Sequence, residues 1–199
     1  MTNPQANGVE PTRITKLRKR GSTLWLFGLP ASGKTTLASK VVRESESYVL
    51  LDGDEVRQTV GNFNMDHAAR LMHLSYMAFC CRQLNDCGIN VAAAFVTPLE
   101  AHRTRIREIL GDVQFIWLQC APETCAARDP KGLWQQAAGG KLPQLTGAGG
   151  AWENPMACEL TIRTDAMSVE QAFAALQERF DLKDRKSTRL NSSHRIRAR

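Results

Sequence analysis

Gly28-Leu29-Pro30-Ala31-Ser32-Gly33-Lys34-Thr35 is the stretch from which the rest of the sequence can be read. It fits the pattern G-x-x-x-x-G-K-[ST] in full. Its glycines let successive backbone N–H groups turn inward around phosphate oxygens, where side chains would obstruct them. A helix beginning near Lys34 adds the positive end of its dipole. Lys34 can reach the β- and γ-phosphates of a nucleotide, and the Thr35 hydroxyl is placed to ligate Mg²⁺. Gly28, Ser32, Gly33, Lys34, Thr35 and Thr36 are therefore candidate triphosphate-binding residues. The motif gains its weight from position, immediately after the apolar run Thr23–Phe27 and before a helical pattern.

Strand and helix patterns alternate outward from this loop. Apolar strands are expected at Thr23–Phe27, 48–51, 90–96, Val113–Gln119 and 159–164. Helices are expected at Lys34–Glu44, 66–87 and Glu100–Leu110, with a last one capped by Ser168 and Gln171. In the second helix Leu71, Leu74, Met77, Ala78, Cys81 and Leu84 share one face at spacings of three and four. This alternation predicts an α/β protein of the P-loop NTPase type. Its three α/β/α layers surround a five-stranded parallel sheet, with ligands at the carboxyl ends of the strands. Residues 129–153, rich in Gly and Ala, read as a loose, mobile lid.

Asp52 and Asp54 close the second strand and point to the same sheet edge as the phosphate loop. Two carboxylates one residue apart can divide the work of holding Mg²⁺ and of orienting or deprotonating an acceptor hydroxyl. Thr35 with Asp54 is taken as the metal set, although the residues leave open which aspartate is base and which is ligand. Arg57, one helical turn on, can clamp an anionic substrate. Arg128 and Lys131 open the lid, where mobile cations can neutralise a transferring phosphoryl group and exclude water.

Composition narrows the class. At 199 residues, 43% hydrophobic and 23% charged, the chain suits one soluble domain, and it lacks a run long enough to span a bilayer. The polar start has no apolar signal region, and the six cysteines have no paired spacing, so a cytoplasmic protein with buried, reduced thiols is expected. The net charge of +6 is misleading. Residues 184–199 carry six basic side chains against one Asp, and without them 20 basic face 19 acidic residues. That tail, beginning DRKSTRLNSSH, resembles a translated sequencing adapter and is set apart from fold reasoning. The remaining surplus lies in a basic arm, residues 1–21, leaving a kinase domain over 22–183 and no case for a nucleic-acid or membrane partner.

Together these motifs resemble the adenylylsulfate kinase family. The likeness covers roughly residues 22–180 through GLPASGKTT at 28–36, LDGDEVR at 51–57, FVTP at 95–98, ARDPKGLW at 127–134, LTG at 145–147 and residues 152–160. It implies transfer of the γ-phosphoryl of ATP, with Mg²⁺, to the 3′-hydroxyl of adenosine 5′-phosphosulfate, and a homodimer as the expected assembly. Carried over, Lys34, Asp52, Asp54 and Lys131 are catalytic, and Arg128 joins the ATP-binding set. Arg57 and Phe63 bind the acceptor, Phe63 by stacking on adenine.

The acceptor side departs from the family pattern. His67 stands where an Arg is usual and Arg70 where an Asn is usual; Glu100 replaces an Arg, and Leu145 replaces a second stacking Phe. Loss of one aromatic face forfeits about 1–3 kcal/mol of stacking. His67 can still donate one hydrogen bond, and Arg70 can restore positive charge from the next turn. A related kinase with another nucleotide-activated acceptor, such as a cytidine diphosphoramidate, is the alternative reading. A non-catalytic nucleotide-binding regulatory module would be expected to lack Lys34, Thr35 or the aspartates, all of which are present.

Overall fold

The computed structural model describes residues 19–45, 48–61 and 66–182. Phe63, the basic arm up to residue 18 and the tail from residue 183 lie outside the described residues. Five strands, β1 (Thr23–Phe27), β2 (Tyr48–Asp52), β3 (Asn90–Phe95), β4 (Val113–Gln119) and β5 (Leu160–Arg163), form one sheet in the order β2-β3-β1-β4-β5. All four pairings are parallel. The helices are α1 (Lys34–Glu44), α2 (Gly53–Val60), α3 (His67–Asp86), α4 (Glu100–Leu110), α5 (Pro122–Arg128), α6 (Leu133–Ala138) and α7 (Val169–Phe180).

The apolar strand runs take this form because both faces of the sheet are covered. On one face Leu24, Leu26, Ala92 and Ala94 pack with Leu37 and Val41 of α1 and Phe173 and Leu176 of α7. On the other, Trp25, Phe27, Ala93 and Phe95 pack with Leu74, Ala78 and Cys81 of α3 and Ile106 and Leu110 of α4. The register sets Trp25 between Ala93 and Phe115, so the small residue on one neighbouring strand makes room for the large ring. The capping box expected at Ser168 and Gln171 is present.

Buried polar groups tie the layers. Trp25 Nε1 donates to Thr97 Oγ1 at 2.9 Å and Thr23 Oγ1 to Asn85 Oδ1 at 2.7 Å. Arg103, 1% exposed, donates to the carbonyls of Thr97 (2.9 Å) and Glu153 (3.1 Å) and to the Glu100 carboxylate (2.8 Å). Glu100, one of the expected departures, is thus the counter-ion of a fully buried guanidinium. Removing one partner of such a group would leave the other uncompensated, at about 3–5 kcal/mol.

The structure changes two of these expectations and adds detail to the lid. The lid carries structure of its own, since residues 133–138 are helical and Trp134 is buried against the phosphate loop. Asp52 ends β2 and caps α2, so Asp54 belongs to the helix rather than closing the strand. Of the cysteines, all free, only Cys81, Cys120 and Cys125 are buried, while Cys80 and Cys87 are exposed on the outward side of the α3 end. Among the described residues no helix is long and apolar enough to cross a membrane.

Candidate active site

The loop between β1 and α1 forms the expected concavity. Ala31 (φ 64°) and Gly33 (φ 94°) take left-handed backbone, which turns successive N–H groups to one side. A Cβ added at Gly33 would meet no atom within 4 Å, so the space in front of it is open to a ligand. Ser32 is fully buried and its Oγ has no hydrogen-bond partner among the described residues. Lys34 is buried, and its Nζ donates to the Leu29 carbonyl at 2.7 Å. Burial pulls its pKa down to about 8; Asp54, Cys125 and Asp52 pull the other way and Lys131 adds to the fall. Thr35 and Thr36 are exposed at the mouth.

The two aspartates have separate surroundings. Asp52, 7% exposed, accepts from the backbone N–H groups of Asp54 (2.9 Å) and Glu55 (3.3 Å) through Oδ1. Its Oδ2 accepts from the Thr35 hydroxyl at 2.5 Å. Asp54 lies one residue into α2 and turns to the lid, where both Arg57 and Lys131 donate to its carboxylate. Burial opposes the charge of Asp54, but the Lys131 and Arg57 contacts outweigh it and hold its pKa below the usual carboxylate range. The Thr35 hydroxyl meets Asp52 because the end of β2 abuts the phosphate loop, whereas Asp54 sits on α2 and turns to the lid.

The lid sits on the loop. Trp134 Nε1 donates to the Pro30 carbonyl at 3.1 Å. Gly147 (φ 90°) comes so close to Leu29 and Trp134 that a Cβ there would lie 2.9 Å and 3.0 Å from their side chains. Leu145 packs partly buried into the same cluster with Leu29, Cys120 and Cys125, as a core residue of the lid. Arg128 does not lie over Asp54 beside Lys131. It donates to the Thr164 carbonyl at 2.6 Å and to Cys120 Sγ at 3.6 Å, at the carboxyl ends of β5 and β4.

The wall opposite is built by α3 and α4. Arg70 donates to the buried Thr146 hydroxyl at 2.9 Å, joining α3 to the lid. Burial and the nearby Arg57 both lower the pKa of Arg70, placing the two guanidiniums in one electropositive region. His67, exposed in the first turn of α3, stacks on His102 of α4 with ring centroids 5.1 Å apart. His73 packs edge-on against Phe95, its centroid 5.9 Å away.

The profile of the family described as adenylylsulphate kinase matches residues 20–163. The chain belongs to the adenylylsulphate kinase family. It is 35% identical over 164 residues to an adenylyl-sulfate kinase of Geotalea uraniireducens, covering 79% of each chain. It is 33% identical over 175 residues to a probable adenylyl-sulfate kinase of Halalkalibacterium halodurans, covering 84% of this chain and 87% of the relative. Among solved structures, the Mycobacterium tuberculosis APS kinase CysC in complex with AMPPNP and APS superposes with a TM-score of 0.76 at 27% identity, covering 81% of this chain and 98% of that one.

Within this family frame, the structure brings together Lys34, Thr35, Asp52, Asp54, Arg57 and Lys131, and sets Arg70 beside them through Thr146. Sequence reasoning missed Trp134, Thr146 and His102. Trp134 and Thr146 lay inside quoted motifs, but nothing in their spacing distinguished anchor from filler; His102 carried no signal at all, since only the packing of α4 on α3 gives it a partner.

The depressed pKa of Lys34 has a consequence for nucleotide binding. A phosphate favours the ammonium form, so ADP affinity should hold near pH 7 and fall about tenfold per pH unit once the pH rises past about 8. Titration calorimetry across pH 7–9.5 should give that slope in the wild type, and Lys34→Met should flatten it.

Proposed function

We propose that this kinase-family chain transfers the γ-phosphoryl group of ATP to the 3′-hydroxyl of adenosine 5′-phosphosulfate. The observation that carries the reading is the meeting, at one sheet edge, of a complete phosphate loop with the Asp54–Arg57–Lys131 cluster. Lys34 exchanges the Leu29 carbonyl for the β- and γ-phosphates, while the loop N–H groups hold the donor. Arg128 stands at the ends of β4 and β5, where it suits the far part of the donor nucleotide.

Asp54 orients the acceptor hydroxyl. The hydroxyl oxygen bonds to the γ-phosphorus as the bridge to the leaving ADP breaks, and Asp54 takes the proton. Its depressed pKa makes it a weak base, which suffices because phosphoryl transfer passes through a loose transition state needing little proton removal. Lys131 stays with the transferring group, and Arg57 and Arg70 hold the acceptor's anionic part. Leu145, beside the loop, closes this site by packing.

The Thr35 hydroxyl and the buried Asp52 carboxylate that it contacts are hard oxygen donors that suit Mg²⁺, which commonly uses one or two carboxylates plus substrate phosphates. When bound there, it would neutralise charge on the phosphate oxygens.

The altered acceptor residues His67, Arg70 and Leu145 favour a second reading, a different nucleotide-activated acceptor. An assay of ADP release with a panel of nucleotide acceptors separates the two. The first reading expects turnover with adenosine 5′-phosphosulfate and a loss of about 100-fold or more in kcat for Asp54→Asn. Turnover with another acceptor alone would transfer the assignment to the second; full biological activity in Lys34→Ala would point to a non-catalytic module.

The free cysteines suit a cytoplasmic setting. A homodimer is supported by Met72, Tyr76 and Phe79, exposed at spacings of four and three on α3. Sedimentation should find a dimer that Tyr76→Asp weakens; a wild-type monomer at high concentration would remove this part of the reading.

A further inference from the structure

Ser32, Ser45, His73 and Asp165 each have one buried polar atom without a hydrogen-bond partner among the described residues, and His102 has two. It is 1% exposed, yet neither Nδ1 nor Nε2 has a hydrogen-bond partner among the described residues. A buried polar group left unpaired costs stability, so a native protein that keeps one has another use for it. Its surroundings point to that use. His67 stacks on it from α3, and Arg70, bonded to Thr146 of the lid, acts on it electrostatically, as do Arg103 from α4 and Glu153 from the loop below. It therefore lies between α3 and α4, within electrostatic reach of Arg70. It also stands on the side of the site where this chain departs from its family's usual residues.

Its protonation state narrows the chemistry. Burial first, then His67, Arg70 and Arg103, push the pKa of His102 down to about 4, against a smaller opposing effect of Glu153. At neutral pH the ring is uncharged, offering one N–H donor and one acceptor lone pair. The guanidiniums beside it can only donate. A ligand edge that presents both a donor and an acceptor fits this ring, whereas an anionic group fits Arg57 and Arg70.

We infer that His102, with His67 stacked over it, is a specificity-determining residue that hydrogen-bonds the uncharged polar edge of the acceptor nucleotide beside the anion held by Arg57 and Arg70. This rests on the kinase reading above. It assigns the acceptor's neutral part, a base or hydroxyl edge, to a residue pair distinct from the cations that hold its charge.

The test uses the full chain as wild type, His102→Leu and His102→Gln. Acceptor nucleotides are assayed both by turnover and by calorimetric binding, with ADP binding and ligand-free Tm measured alongside. His102→Leu should weaken the preferred acceptor by about tenfold or more while ADP affinity stays within about twofold. The ligand-free Tm should rise by about 2–4 °C, because two unpaired nitrogens have been removed from the interior. His102→Gln, which keeps a donor and an acceptor, should recover part of the acceptor affinity. An unchanged acceptor affinity in His102→Leu would overturn the inference, as would a lowered Tm with equal losses for acceptor and ADP. A wild type that binds an acceptor without phosphorylating it would overturn the kinase reading alone, leaving the binding ratio to decide on His102. A wild type that binds no acceptor nucleotide would overturn both.

Discussion

The hydrogen bond from the Thr35 hydroxyl to Asp52 joins the two halves of the site. Thr35 belongs to α1, the helix that follows the phosphate loop, and Asp52 ends β2, two strands away from β1 in the sheet. The same carboxylate caps α2 through two backbone N–H groups, so one side chain fixes the loop, the strand end and the helix that carries Asp54 and Arg57. Asp52 is thereby held to the loop and to α2, and with Thr35 it forms the pair proposed to hold Mg²⁺. Asp54, two residues on, instead faces Arg57 and Lys131, and for that reason the proposed function gives it the acceptor. The separate surroundings of the two carboxylates follow from the change from strand to helix between them.

The lid depends on the same frame. Trp134 and Gly147 close on Pro30 and Leu29, residues whose backbone is already bent to make the cradle. Lys131 reaches Asp54 because the segment after α5 is anchored at both of these contacts. A lid held by a buried tryptophan and by a close glycine approach is a positioned element, with its polar ends on Asp54 and, through Thr146, on Arg70.

Much of this was legible in the chain. The apolar runs of β1, β3 and β4 and the glycine loop are local signals, and the resulting parallel sheet and donor loop follow from them. The start of α2 was harder, since Asp-Gly-Asp reads equally as a turn until the Asp52 cap is seen. The helix within the lid was not legible, because glycines dominate the composition there while the anchor is a single residue, Trp134. Pairings that cross elements, such as Thr35 with Asp52 or His67 with His102, have no sequence signature. The acceptor wall is made of such pairings, which is why the donor half of the site could be read and the acceptor half needed the structure.

Asp52 joins the phosphate loop to α2 and, in the proposed function, joins both to Mg²⁺. Calorimetric ADP binding by Asp52→Asn, with Mg²⁺ and with a chelator, tests this most directly. A loss of about tenfold or more in the presence of Mg²⁺, with affinity nearly unchanged in the chelator, is the predicted result. Equal affinity in the variant and the wild type under both conditions, or a loss of the same size in both, would contradict it.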